Sequence, residues 1–265
     1  MTEHAMSYGD LGLAAVLVVL GAGLSLMLQL GVARSLLVAG VRMVVQLLLV
    51  GLVLKTVFAL RSPWVVALVM LAMLGAASYE TLSRQQRRFV GWWGAGLGAG
   101  TTMLATVLVT AFGVASLQPT PWYAPELTIP LFGIVLGNAM SGVSISLNAF
   151  NTGLVRERAA IEARLALGET RYVALAQVQR SALRSGMIPV INQMSAAGII
   201  TLPGMMTGQI LAGMPPLEAA KYQVFVLFLL SGAAALGAIG ATMAAAWRAT
   251  DERHRLRLDR TIERS

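Results

Sequence analysis

The chain has 265 residues, of which 57% are hydrophobic and only 12% charged, against about 25% charged in a soluble domain. So few charges cannot coat a water-soluble protein of this size, and the apolar runs approach or exceed the roughly 20 residues that span a bilayer as helix. There is no cysteine and the formal net charge is +8; the first excludes disulfides, thiolate metal sites and iron–sulfur clusters, and no basic segment carries the interleaved aromatics of a nucleic-acid binder.

In chain order, Met1 to Asp10 carries Glu3 and Asp10 but no Lys or Arg, unlike the positive start of a secretory signal, so the first apolar run is expected to stay as a helix. Seven apolar segments follow: Leu11 to Leu30, Leu36 to Leu60, Trp64 to Tyr79, Gly91 to Ala115, Leu127 to Phe150, Gly186 to Gly213 and Tyr222 to Trp247. They predict an all-α polytopic membrane protein of about seven transmembrane helices. The chain reads as one transmembrane domain over residues 1–247, with a polar connection over 151–185 and a charged tail over 248–265, expected as a frayed helix on the membrane surface. With the N-terminus outside, sixteen of the twenty Lys and Arg fall on the inner side, including Arg34, Arg84, Arg87, Arg88 and Arg164. That bias predicts N-terminus out and C-terminus in.

Chemistry is sparse. No phosphate-binding loop precedes either lysine, Lys55 or Lys221, so P-loop ATP hydrolysis would need a separate polypeptide. No Asp or Glu lies in the middle of a segment, and the two histidines, His4 and His254, lie in the polar termini. A proton relay or an intramembrane hydrolase has no visible catalytic groups.

Arg42 and Gln46 are four apart and share a helix face. Either they form a polar patch on a pathway or they anchor one helix to another. Gly94/Gly98 and Gly96/Gly100 are small-xxx-small pairs, which let a second backbone approach closely. Asn138, Ser141 and Asn148 recur at helical spacing, with Met140 among them, and either line a cavity or bond between helices. Pro189 and the run Thr201–Leu202–Pro203–Gly204–Met205–Met206–Thr207–Gly208 are expected to break the helical ladder. Broken backbone at membrane depth is tolerated only where it is buried in protein or lines water, which places Pro203, Met205 and Met206 beside the pathway. The thioethers are soft ligands, though methionine is more often packing, and no metal site is assigned. In the polar connection, Glu162, Leu165 and Leu167 lead to Gly168, which suits a left-handed helix end; Thr170 then suits the cap of a helix starting near Arg171. Such a bend, carrying Leu165, Leu167 and Tyr172 among charges, suits docking into a partner's groove.

Glu162-Ala163-Arg164 followed by Gly168 resembles the coupling loop of ABC-importer permeases, departing from it at Arg164. A closer match lies in GNAMSGVSISLN (Gly137 to Asn148), LALGET (Leu165 to Thr170) and ITLPGMMTGQILAGMPPLEAAKYQ (Ile200 to Gln223), with Arg42, Gln46, Gly51 and Leu54-Lys55. These strings resemble the Fet-type iron-export ABC permeases, the FetB-like family. The resemblance implies a multi-pass protein of the bacterial inner membrane that pairs with a second copy of itself and a FetA-like ABC ATPase. ATP and Mg would be bound by that ATPase, this chain binding no cofactor, and the cargo would be iron, exported against iron-dependent oxidative stress. Kinship with plant aluminium-tolerance permeases implies UDP-glucose as an alternative cargo. A seven-helix receptor or retinal protein and an intramembrane enzyme are the competing classes.

Overall fold

The computed structural model describes residues 8–83, 87–251, 253 and 255–263. His4, Arg84 and His254, singled out above, lie outside the described residues. The chain divides into two compact units, 1–61 and 62–265.

The first unit is a helical hairpin of α1 (Tyr8–Met27) and α2 (Ala33–Leu60). Its turn uses left-handed backbone at Gln29 and Gly31. The helices run antiparallel, with Gly21 against Leu36 and Gly40 against Val18. Most of α2 is exposed, including Leu47 and Leu52; such a surface is soluble only in lipid or against protein.

The second unit contains α3 (Pro63–Ser83), α4 (Trp92–Leu117), α5 (Pro125–Arg156), α6 (Arg158–Ala166), α7 (Arg171–Ala196), α8 (Gly204–Leu211) and α9 (Pro216–Ala249). The central helix is α5, which packs against α3, α4, α7 and α9. In a bilayer, burial gains no water-transfer energy between helices, so close van der Waals fit carries the packing. Small residues provide it. A Cβ at Gly186 of α7 would meet Ser146 Oγ and stand 2.7 Å from the Gly142 carbonyl oxygen, and one at Gly142 would stand 3.1 Å from that of Ala234 on α9. Further along, a Cβ at Gly153 would come within 2.8 Å of Val178. These pairs set α7 antiparallel to α5. Two buried clusters result. One joins Phe150, Leu154, Ile161 and Leu175 with the end of α9; the other joins Leu131, Val135 and Val190 with Val226 and Leu230. Some buried hydroxyls bond within their own helices, Thr102 donating to the Gly98 carbonyl at 2.7 Å and Thr106 to that of Thr102 at 2.7 Å, whereas those of Thr110, Ser144 and Ser146 find no partner among the described residues.

Among the described residues six helices, α1 to α5 and α9, are long and apolar enough to cross a membrane, and the protein is an all-α polytopic membrane protein. The remaining expected segment, Gly186 to Gly213, is divided between the second half of α7 and the short α8. Pro189 does not break the ladder: α7 runs through it. Pro189 lies on the exposed side of α7, while Gly186 and Val190 on either side are buried and hold the helix on the bundle. The break falls instead at 197–203, around left-handed Gly198, and Gly204 to Gly208 are helical rather than broken.

The tail is not a frayed helix. After Thr250 it folds back, bridges Thr250 to Leu256, and ends as strand β2 (Thr261–Glu263), antiparallel to β1 (Arg87–Phe89). The cause is long-range pairing together with apolar contacts of Leu256 and Leu258 on the cluster around Phe150. Of the small-residue pairs in α4, Gly94 abuts the carbonyl of Phe89 in β1, whereas Gly100 meets nothing within 4 Å.

Candidate functional site

The bend between α6 and α7 is built from backbone geometry. Gly168 has φ +89, a conformation costly for any residue with a Cβ. Its N–H donates to Leu165 O at 3.1 Å, and the N–H of Glu169 donates to Arg164 O at 3.1 Å. This pair of bonds is the Schellman closure of a helix end. Thr170 is extended and its carbonyl accepts from Ala174 N–H at 3.0 Å, so α7 starts where expected. Its side chain makes no cap bond, contrary to the capping role read from the sequence.

Both arms of the bend are rooted. Ile161 of α6 and Ala174, Leu175 and Val178 of α7 are buried in the cluster around Phe150, and Leu165 packs on it half-buried. The tip is bare: Leu167 is 85% exposed and Tyr172 61%. Arg171 stacks over the Tyr172 ring, 5.1 Å from its centroid. Glu162 pairs with Arg158 at 2.8 Å on the exposed side of α6, an i,i+4 pair worth about 0.3–0.5 kcal/mol. An anchored base with an exposed apolar tip suits transmission of force from a docked partner.

The expected pathway residues are distributed over several surfaces. On α5, half-buried Asn138 donates to Ile134 O at 3.0 Å and Ser141 to Gly137 O at 2.9 Å, each within its own helix. Met140 packs on the α3 cluster of Leu74 and Ala77. Asn148 is half-buried. Pro203 is the residue before α8, Met205 packs on the α4–α5–α9 cluster, and Met206 is half-buried. Arg42 and Gln46 lie in the first unit, exposed on α2. Among the described residues no group of three or more His, Asp or Glu stands close enough to hold a metal ion.

Sequence reasoning missed a polar face on α7. Arg180, Ser181, Arg184, Ile188, Asn192 and Ser195 are exposed, while Ala182, Gly186 and Val190 opposite are buried on the bundle. The antiparallel register with α5 sets Asn192 near the level of Met140, within a membrane-crossing helix. Polar side chains at that depth face protein or water, not lipid. The helical spacing of 181, 184, 192 and 195, interrupted by Ile188, carried this signal, but the proline drew attention instead. Two buried amide oxygens were also missed: Gln209 on α8 and Gln223 on α9 have no hydrogen-bond partner. Because the chain has no native cysteine, single cysteines test the face directly. Cysteine at 192 or 195 is expected to react with a membrane-impermeant maleimide, and cysteine at 182 or 190 to stay unlabelled, as read by mass shift.

A bundle with several helices long and apolar enough to cross a membrane defines the class: a multi-pass integral membrane protein. The chain matches the family described as "Uncharacterised protein family (UPF0014)" over residues 8–249, and it belongs to that family. It is 38% identical over 237 residues to UPF0014 membrane protein slr1647 of Synechocystis sp., covering 86% of this chain and 89% of that one. It is 30% identical over 260 residues, 97% of each chain, to the probable iron export permease protein FetB of Escherichia coli. A plant relative, protein ALUMINUM SENSITIVE 3 of Arabidopsis thaliana, is 32% identical over 230 residues, 86% of this chain and 82% of that one. No solved structure matches.

Proposed function

We propose that this chain is the permease subunit of an ABC transporter that exports iron from the bacterial cytoplasm across the inner membrane. Two copies work with two copies of a separate, FetA-like ATPase, which binds ATP and Mg. The N-terminus lies outside and the C-terminus inside, with α7 and α8 together making the seventh crossing. The observation that carries this reading is the bend at Gly168, whose apolar tip is exposed while both its arms are buried in the bundle. The similarity to a probable iron export permease over 97% of both chains supports the cargo.

Closure of the ATPases pulls on Leu167 and Tyr172. Helix α7 is continuous from Arg171 to Ala196, so it carries that displacement to Asn192 and to the break at 197–203. Iron crosses through transient contacts with amide, hydroxyl and thioether groups, weak enough for release. A second cargo, the nucleotide sugar UDP-glucose, is favoured by one feature: Arg180 and Arg184 stand on the exposed polar face of α7, where cations attract a phosphate-bearing anion.

The test is reconstitution in sealed vesicles. The permease with its ATPase is expected to move iron on addition of ATP, and neither protein alone is expected to do so. Uptake of UDP-glucose without iron would reassign the cargo, and transport by the permease alone would overturn the mechanism.

A further inference from the structure

The end of α9 and the folded-back tail border an open cleft of about 640 Å³. Five of its lining residues are arginines: Arg171 from the start of α7, Arg248 from the last turn of α9, and Arg253, Arg255 and Arg260 from the tail. The carboxylate among them is Asp251, and it is already engaged. It accepts the backbone N–H groups of Arg253 at 3.0 Å and Arg255 at 2.9 Å, and Arg255 Nε at 2.9 Å. These bonds hold its carboxyl below the usual range. Arg257 is tied to Asp259 by two bonds of 2.9 Å, which hold the Asp259 carboxyl at about 2. Among the described residues of the tail, Asp251 and Asp259 are therefore both engaged.

Positive charge remains. Among the described residues, Arg248, Arg253 and Arg260 form no ion pair with a carboxylate. Arg260 donates to the carbonyls of Arg248 at 3.0 Å and Thr250 at 3.4 Å, closing the end of α9. Arg248 lies over the Trp93 ring, 5.2 Å from its centroid, and its Nε is buried without an acceptor. A buried charged donor left without an acceptor is costly. A phosphate group supplies what is missing, because its oxygens match the planar guanidinium fork. Trp93 and Trp247 pair at 5.9 Å beside the cleft, and tryptophan is the residue of the headgroup level.

We infer that this cleft is a binding site for a phosphate group, carried either by an anionic phospholipid headgroup or by a soluble phosphate ester. The site is assembled from the start of α7, three residues beyond Gly168, and from the tail. Occupancy therefore fastens the tail to the helix that bears the docking bend, and it goes beyond the transport reading, which stands or falls separately.

The test uses the full chain in nanodiscs and reads thermal unfolding and tryptic cleavage of the tail, with no transport assay. Phosphatidylglycerol is titrated into phosphatidylcholine discs in one arm, and inorganic phosphate is added to pure phosphatidylcholine discs in the other. Stabilisation and tail protection are expected in at least one arm. Half-saturation is expected to need about tenfold more ligand in Arg253→Gln and Arg248→Gln, and to be unchanged in Arg156→Gln, an exposed arginine outside the cleft. A response only to phosphatidylglycerol assigns the site to lipid, and one reproduced by inorganic phosphate assigns it to a soluble ester. Absence of stabilisation in both arms, or identical titrations in wild type and Arg253→Gln, overturns the proposal. Arg253 is exposed and outside every helix, so that variant reports even if Arg248→Gln fails to fold.

Discussion

Gly186→Ala is expected to destabilise the bundle by about 3 kcal/mol or more, a large loss for one methyl group. Overpacking a well-filled core costs about 1–3 kcal/mol when neighbours can yield. Here one neighbour is Ser146 Oγ, which can rotate, but the other is the Gly142 carbonyl oxygen, 2.7 Å from the new Cβ. A backbone oxygen inside a helix moves only if α5 moves, and α5 is packed on four sides. The three interior glycines then form a graded series. Gly142→Ala places a methyl 3.1 Å from Ala234 O and is expected to cost less, because α9 need shift by only a few tenths of an ångström. Gly137→Ala meets nothing within 4 Å and is expected to be neutral or slightly stabilising, since alanine loses less backbone freedom in a helix. Adding Ser146→Ala to Gly186→Ala is expected to recover part of the loss but not all, because the carbonyl contact persists. Thermal unfolding in nanodiscs, with monodispersity after extraction, checks the order. Equal midpoints for Gly186→Ala and Gly137→Ala would mean that α5 and α7 are not this close.

How much of this was legible in the sequence depends on how local each cause is. The membrane class and most helix positions follow from hydropathy runs, and the ends of α2, α3, α4 and α9 fall within a few residues of expectation, apart from the start of α9. The bend at Gly168 was legible because its signal, an apolar-charged helix followed by Gly-Glu-Thr, lies within a few residues. Pro189 misled for the opposite reason. Its effect on α7 is decided by Gly186 and Val190 packing on the bundle, which no local rule reports. The real break at Gly198 carries no proline within the preceding eight residues. The tail was misread because its pairing joins Arg87–Phe89 to residues more than 170 positions later, whereas a mixed charge run seen alone suggests a frayed helix. In the candidate site, Asn138 and Ser141 drew attention by their spacing, yet each bonds back to its own helix. Asn192 and Ser195 attracted none, although α7 presents them where lipid would be unfavourable.

Leu167→Asp combined with Tyr172→Asp is expected to abolish capture of the proposed ATPase partner while leaving the fold intact. Both side chains are mostly exposed; Leu167 caps α6 only through its backbone N–H, which donates to Ala163 O at 3.0 Å and which aspartate keeps, so each substitution is expected to change stability by about 0.5 kcal/mol or less. Anchors in a protein interface carry about 2 kcal/mol or more each, so losing two weakens association by roughly a thousandfold. Ile161→Asp gives the contrasting outcome: that side chain is 2% exposed in the cluster around Phe150, and a buried carboxylate there unfolds the root of the bend. Gly168→Pro separates the two roles. Proline cannot adopt φ +89, and it removes the N–H that donates to Leu165 O. Loss of coupling with a modest fall in thermal midpoint is therefore expected, because α6 and α7 remain anchored through Ile161 and Leu175. Co-purification of the ATPase, ATP-driven transport and thermal midpoint, measured for all three variants, distinguish tip from root. Were the double aspartate variant to retain the proposed ATPase at wild-type occupancy, the force would have to enter the bundle elsewhere, and the continuous run of α7 from Arg171 to the break at 197–203 would lose the mechanical role proposed for it.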